Sequence, residues 1–143
     1  MAAYIDTLKQ QHITGNQTIE HIEQLGSRLT SDEAVTLVNT MEAEILNHFN
    51  EEETRLFPAL EAVIGSHCGP TSVMRAEHEA IRQQIDTCKA AIAEGVDVLS
   101  AELDTLFILL QQHNVKEENV LYPLCEQCLP QLATWLPLAL EAS

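Results

Sequence analysis

Aromatic side chains are scarce in this 143-residue chain, which has one Trp, two Tyr and three Phe, 4% of the total. Glycine and proline number only five each. Strands draw on aromatic residues and tight turns on glycine, so a sandwich or barrel is disfavoured and a helical bundle favoured. Basic residues are few as well. Seven Lys and Arg stand against 22 Asp and Glu, a net charge of −15. That charge repels phosphate backbones and anionic bilayers, which argues against nucleic acid or a membrane as partner. The apolar run Leu106-Phe-Ile-Leu-Leu110 is far short of the roughly 20 residues a membrane span needs. The opening Met1-Ala-Ala-Tyr-Ile-Asp6 has neither the basic nor the apolar region of a signal peptide. A cytoplasmic protein is expected, with its four cysteines as thiols rather than structural disulfides. No linker or low-complexity tract divides the chain, and its length suits one domain with a full core.

What the chain does have is a phrase written twice. His48-Phe-Asn-Glu-Glu52-Glu-Thr-Arg-Leu-Phe-Pro58 and His113-Asn-Val-Lys-Glu117-Glu-Asn-Val-Leu-Tyr-Pro123 share the pattern His-x-x-x-Glu-Glu-x-x-Leu-aromatic-Pro. In a helix, positions i and i+4 lie on one face, one turn apart. Each copy therefore sets an imidazole beside a carboxylate, as a two-point clamp for a metal ion. Two clamps on two helices suggest one site for two ions.

Four segments carry apolar residues at the three- and four-residue steps of a helix. The first runs through Ile5, Leu8, His12, Ile19 and Ile22, with Gly15 filling one step. The second follows a cap at Thr30-Ser-Asp-Glu33 and runs through Val38, Met41, Ile45, His48, Glu52, Leu56, Ala59 and Val63. The third opens near Pro70 and includes Met74, His78, Ile81, Ile85 and Cys88. The fourth opens near Asp97 and includes Leu103, Leu106, Leu110, His113, Glu117, Leu121, Leu124 and Cys128. Breaks at Gly26-Ser27, 65–70 and Gly95 are short, so the helices are antiparallel neighbours in an up-down-up-down four-helix bundle. Pro58 and Pro123 each remove a backbone donor and should bend or end their helices. Residues 132–140 are expected to form a short C-terminal helical cap, interrupted at Pro137.

A coarser repeat underlies the bundle. His12 and His48 are 36 positions apart, and His78 and His113 are 35 apart. Each half thus supplies one lone His and one His/Glu clamp. His12, His48, Glu52, His78, His113 and Glu117 all fall on inward seams that should be apolar. An unpaired buried carboxylate costs several kcal/mol. Two cations would compensate all six groups, because carboxylate oxygens and neutral imidazole nitrogens are metal ligands. His21 competes with His12, but at about 100° per residue it faces the opposite side of the helix, and only His12 keeps the half-repeat spacing.

These motifs resemble the hemerythrin family, in its bacterial hemerythrin-like (HHE cation-binding) branch. The resemblance covers the chain from about His12 to Pro123 and implies an all-α domain over residues 1–143 holding two non-haem irons. It implies that His12, His48, His78 and His113 are terminal ligands and that Glu52 and Glu117 bridge the irons, with an oxo or hydroxo group between them. Oxygen-carrying hemerythrins have a further His one turn before the third-helix His, where this chain has Met74. Their second carboxylate clamp is also spaced differently. Both departures count against reversible oxygen transport and leave coordination positions open to O2, NO or peroxide. The expected function is binding, scavenging or sensing of such a ligand, with a separate protein as partner or electron donor. The alternative is a redox enzyme consuming peroxide or NO, or an iron donor for repair of iron–sulfur clusters. Repair proteins resembling this domain carry an extra N-terminal cysteine-containing segment that this sequence does not show, which places repair second at this stage.

Glu51, Glu53 and Glu118 flank the bridging acids and are expected as solvated or supporting groups. Tyr4, Phe49, Phe57 and Tyr122 are expected in the core, with Tyr122 able to donate a hydrogen bond toward the site. Cys125-x-x-Cys128, near the loop bearing His67 and Cys68, admits a second metal or redox site. The favoured reading takes Cys88 and Cys128 as small buried hydrophobes. Glu-x-x-His pairs of ferritin type are absent, and Arg82 stands where a zinc-protease string starting at His78 requires its second His.

Overall fold

A computed structural model describes residues 2–65 and 69–137. Helix α1 spans Ala3–Leu25, α2 Ser31–Glu51, α3 Phe57–Ile64, α4 Pro70–Ala91, α5 Val96–Lys116 and α6 Tyr122–Cys128. Helix α2 starts at a capping box: Glu33 N–H donates to Thr30 Oγ1, and Thr30 N–H donates to Glu33 Oε1. This satisfies two donors that the first turn would leave unpaired. Gly26, Gly65 and Gly95 take positive φ where the chain turns between helices, a conformation that only glycine adopts freely.

The long helices form a ring, α1 against α2 and α5, and α4 against α2 and α5. Short connections make them alternate up and down, as the hydrophobic period predicts. A 3-10 turn at Pro130–Thr134 begins the expected C-terminal cap, whose last residues lie outside the described ones. No helix among the described residues is long and apolar enough to cross a membrane.

The two prolines neither end nor break their helices. A π-helical turn precedes each: Glu52–Leu56 joins α2 to α3, and Glu117–Leu121 joins α5 to α6. Phe57 N–H bonds Glu52 O and Tyr122 N–H bonds Glu117 O, five residues back instead of four. The wider turn inserts one residue and rotates everything beyond it. Leu56 and Leu121 stay on the seams as expected, and beyond them Ala59, Leu124 and Cys128 give way to Leu60, Cys125 and Leu129. Leu56, Phe57 and Leu60 are buried on one helix, and Leu121, Tyr122 and Cys125 on the other, while Val63 is 57% exposed. Cys88 is buried as expected, but Cys128 is half-buried and Leu129 takes its core place, while Cys125 takes that of Leu124.

Two apolar clusters fill the bundle. One packs Ile22, Val38, Met41, Ile85 and Leu103 with their neighbours; the other packs Tyr4, Leu8, Leu60, Met74 and Cys125 with theirs. Along each long helix the inward His and Glu positions fall between these clusters.

Candidate metal centre

All six sequence-expected residues converge there. Glu52, Glu117 and His78 have no solvent exposure or almost none, and His12, His48 and His113 are buried. Each clamp straddles the start of a π turn: His48 and His113 lie in the last regular turn of α2 and α5, and Glu52 and Glu117 open the wider turn that follows. The four imidazole Nε2 atoms point to the middle. His12 lies 2.9 Å, His113 3.2 Å and His48 3.6 Å from Glu117 Oε1. His78 Nε2 lies 3.1 Å from Glu52 Oε1, and His48 Nε2 3.4 Å from it. Tyr122 Oη donates to Glu52 Oε2 at 2.7 Å and reaches Glu117 Oε1 at 3.2 Å.

The outward Nδ1 atoms are held by side chains from other helices. His12 Nδ1 pairs with Glu118 at 2.7 Å, His48 Nδ1 with Gln11 Oε1 at 2.8 Å, His78 Nδ1 with Glu53 at 2.7 Å and His113 Nδ1 with Glu77 at 2.8 Å. Arg82 grips Glu53 through both guanidinium nitrogens, and Lys116 pairs with Glu77. Acceptors at Nδ1 hold a proton there, so that each imidazole, when neutral, turns its Nε2 lone pair inward. Glu53 and Glu118 thus act as the expected supporting groups, whereas Glu51 accepts from the Tyr4 hydroxyl. Gln11 and Glu77 escaped the sequence reading. Their signal was position, since each directly precedes the lone His of its half.

Protons alone compensate this cluster poorly. Burial and the Glu117 charge push Glu52 far above the usual carboxyl range. Glu117 also suffers burial, but the imidazoles around it, His113 and His12 foremost, overcome it and hold its carboxyl far below. Burial opposes charge on His12 and His78, yet their carboxylate partners raise both to about 9. Burial depresses His48 to about 4. His48 Nε2, Glu52 Oε1 and Glu117 Oε2 are buried without a hydrogen-bond partner. His78 Nε2 and His113 Nε2 face each other at 3.1 Å, so two lone pairs meet unless a proton or cation lies between. Nitrogen and oxygen donors arranged this way suit divalent or trivalent transition metals.

Two groups can each hold an ion: His12, His48, Glu52 and Glu117; and Glu52, His78, His113 and Glu117, with one donor atom per residue, all within 4.8 Å. Both include the same two carboxylates. His21, by contrast, is exposed. His67 and Cys68 lie outside the described residues, and Cys125 and Cys128 belong to neither group.

Comparison with known proteins agrees with this geometry. The iron-sulfur cluster repair protein YtfE of Yersinia pestis (strain Pestoides F) and that of Yersinia pseudotuberculosis serotype O:1b (strain IP 31758) are each 33% identical over 90 residues. Each alignment covers 56% of this chain and 41% of the relative, so the match spans less than half the length of these curated proteins. No solved structure matches the chain. The hemerythrin HHE cation-binding domain matches residues 3–125, a span that contains all six converging residues, and the chain belongs to that family.

Proposed function

We propose that the chain holds two iron ions and serves the repair of damaged iron–sulfur clusters, as an iron donor or redox partner. His12 and His48 would ligate one ion, His78 and His113 the other, and Glu52 and Glu117 both. The observation that carries two ions is the sharing of both carboxylates by the two donor groups. Bound iron would supply redox and ligand-exchange chemistry. The chain's own residues supply the rest: Nδ1 partners orient the imidazoles, Tyr122 holds the acids, and the apolar clusters exclude bulk water. The names of the similar YtfE proteins favour repair over the ligand-binding role ranked first from sequence. A reducing, cytoplasmic setting suits that role and the free thiols of Cys88, Cys125 and Cys128.

A second reading, capture of O2, NO or peroxide, is supported by a cavity of about 20 Å3 beside His12 and His48, room for one water-sized molecule. The two readings separate in one anaerobic experiment. Iron analysis should find two irons per chain; one zinc and no iron after growth in iron-replete medium would refute the centre. The loaded ferrous protein is then divided between an iron–sulfur protein whose cluster has lost iron but kept its sulfide, and O2. Cluster reassembly with iron loss from this chain supports repair, whereas a reversible visible absorption change on O2 addition, with no iron transfer, supports ligand capture.

A further inference from the structure

The two halves of the centre match in their ligands but not in their surroundings. Aligned on their histidines, the halves place Gln11 opposite Glu77, Gly15 opposite Ile81, and Phe49 opposite Asn114. At the His78/His113 end, the Phe49 ring stacks on His78 at 3.8 Å with planes 9° apart, and Phe57 stacks at 5.5 Å. Ile81 is 1% exposed and packs in the core there. At the His12/His48 end, Tyr122 stacks on His12 as Phe57 does on His78, but the places of Phe49 and Ile81 hold Asn114 and Gly15. Both line the small cavity that reaches His12 and His48, together with the half-buried Gln11 and Asn16. The supporting bonds differ too. His48 is backed by a neutral amide and His113 by a carboxylate.

We propose that the His12/His48 position is the exchangeable one of the pair, its metal entering and leaving beside Gly15, while the His78/His113 position retains its ion. The inference rests on the two-ion reading. Two physical differences act in the same direction. An ion leaves when water replaces its protein ligands in turn, and the cavity beside His12 and His48, with Gln11, Asn16 and Asn114 in its wall, has space for that water. A carboxylate on the far ring nitrogen makes an imidazole a stronger donor, and such outer partners change metal affinity by about 10- to 100-fold. The Gln11 amide gives His48 less of this support than Glu77 gives His113. For an iron donor, one ion would be delivered while the other holds the bundle together.

The test follows iron release from the fully loaded ferrous protein under argon, with a colorimetric ferrous chelator in excess. Wild type should release one equivalent fast and one slowly. Gln11→Glu should slow only the fast phase, by about tenfold. Gly15→Ala should slow it as well. The added Cβ would meet Ile45 Cγ1 at an ordinary 3.8 Å, so the methyl enters the cavity without distorting the helix. Glu77→Gln should quicken only the slow phase. Release of both irons in a single phase would overturn the inference while leaving the two-ion reading intact. So would a fast phase that answers to Glu77→Gln and ignores Gln11→Glu and Gly15→Ala. Failure of the wild type to load two irons would instead defeat the two-ion reading itself.

Discussion

At the residue scale, the centre depends on which imidazole faces inward, and α1 offers two candidates. His12 is 6% exposed and touches Glu117 and Glu118; His21 is exposed on the opposite side. His12→Ala should deplete the metal, and His21→Ala should keep it, as metal analysis of the purified variants would show. The reverse pattern would mean that the α1 register is wrong. Tyr122→Phe separates support from ligation. It removes the hydroxyl that donates to Glu52 and reaches Glu117, and a buried acceptor left unpaired costs about 1–3 kcal/mol. The metal-stripped variant should therefore lose stability by about that amount in urea denaturation. Metal content should stay near wild type, because no ligand atom is lost.

At the element scale, the apolar period located all four long helices, and Thr30 and Glu33 marked the start of α2. Thr30→Ala should cost about 1 kcal/mol by unpairing the Glu33 amide, far from the centre. A lowered melting temperature with unchanged metal content is the expected result; metal loss would tie the cap to the site. Beyond Glu52 and Glu117 the sequence reading slipped by one residue. Val63 and Cys128 were placed on the seams, yet Val63 is exposed and Leu129 is buried in Cys128's stead. A constant period of 3.6 cannot register a single π turn, and a proline signals a lost donor without saying how the backbone adapts.

At the scale of the whole molecule, stability and metal occupancy are coupled through protons. In metal-stripped protein, His12 and His78 are held at about 9 against an ordinary 6.5. Their contribution to stability is full below pH 6.5 and is lost as pH rises through about 9. Glu52, also raised, acts with the same sign. His48, lowered to about 4, acts oppositely, costing stability as pH falls from 6.5 toward 4. Metal binding needs neutral imidazoles and ionised carboxylates, so it strengthens as protons stop competing. The melting-temperature gap between loaded and stripped protein should widen from pH 6.5 to 9. Thermal scans showing a constant gap would mean that these residues do not exchange protons for metal.

The sequence by itself determined the all-α bundle, the four histidines and two glutamates on its seams, and their division into matching halves. Each of these follows from local spacing, because the helical period turns a three- or four-residue step into a shared face. The tertiary structure set both glutamates, expected as bridges, within both donor groups. It alone paired Glu118, Gln11, Glu53 and Glu77 with particular imidazoles, and it stacked Phe49 on His78 while leaving a cavity beside His12 and His48. Those outcomes depend on how far each helix is rotated when it meets its neighbours. The π turns change that rotation, and no spacing along a single helix specifies which side chain from another helix arrives within hydrogen-bond reach.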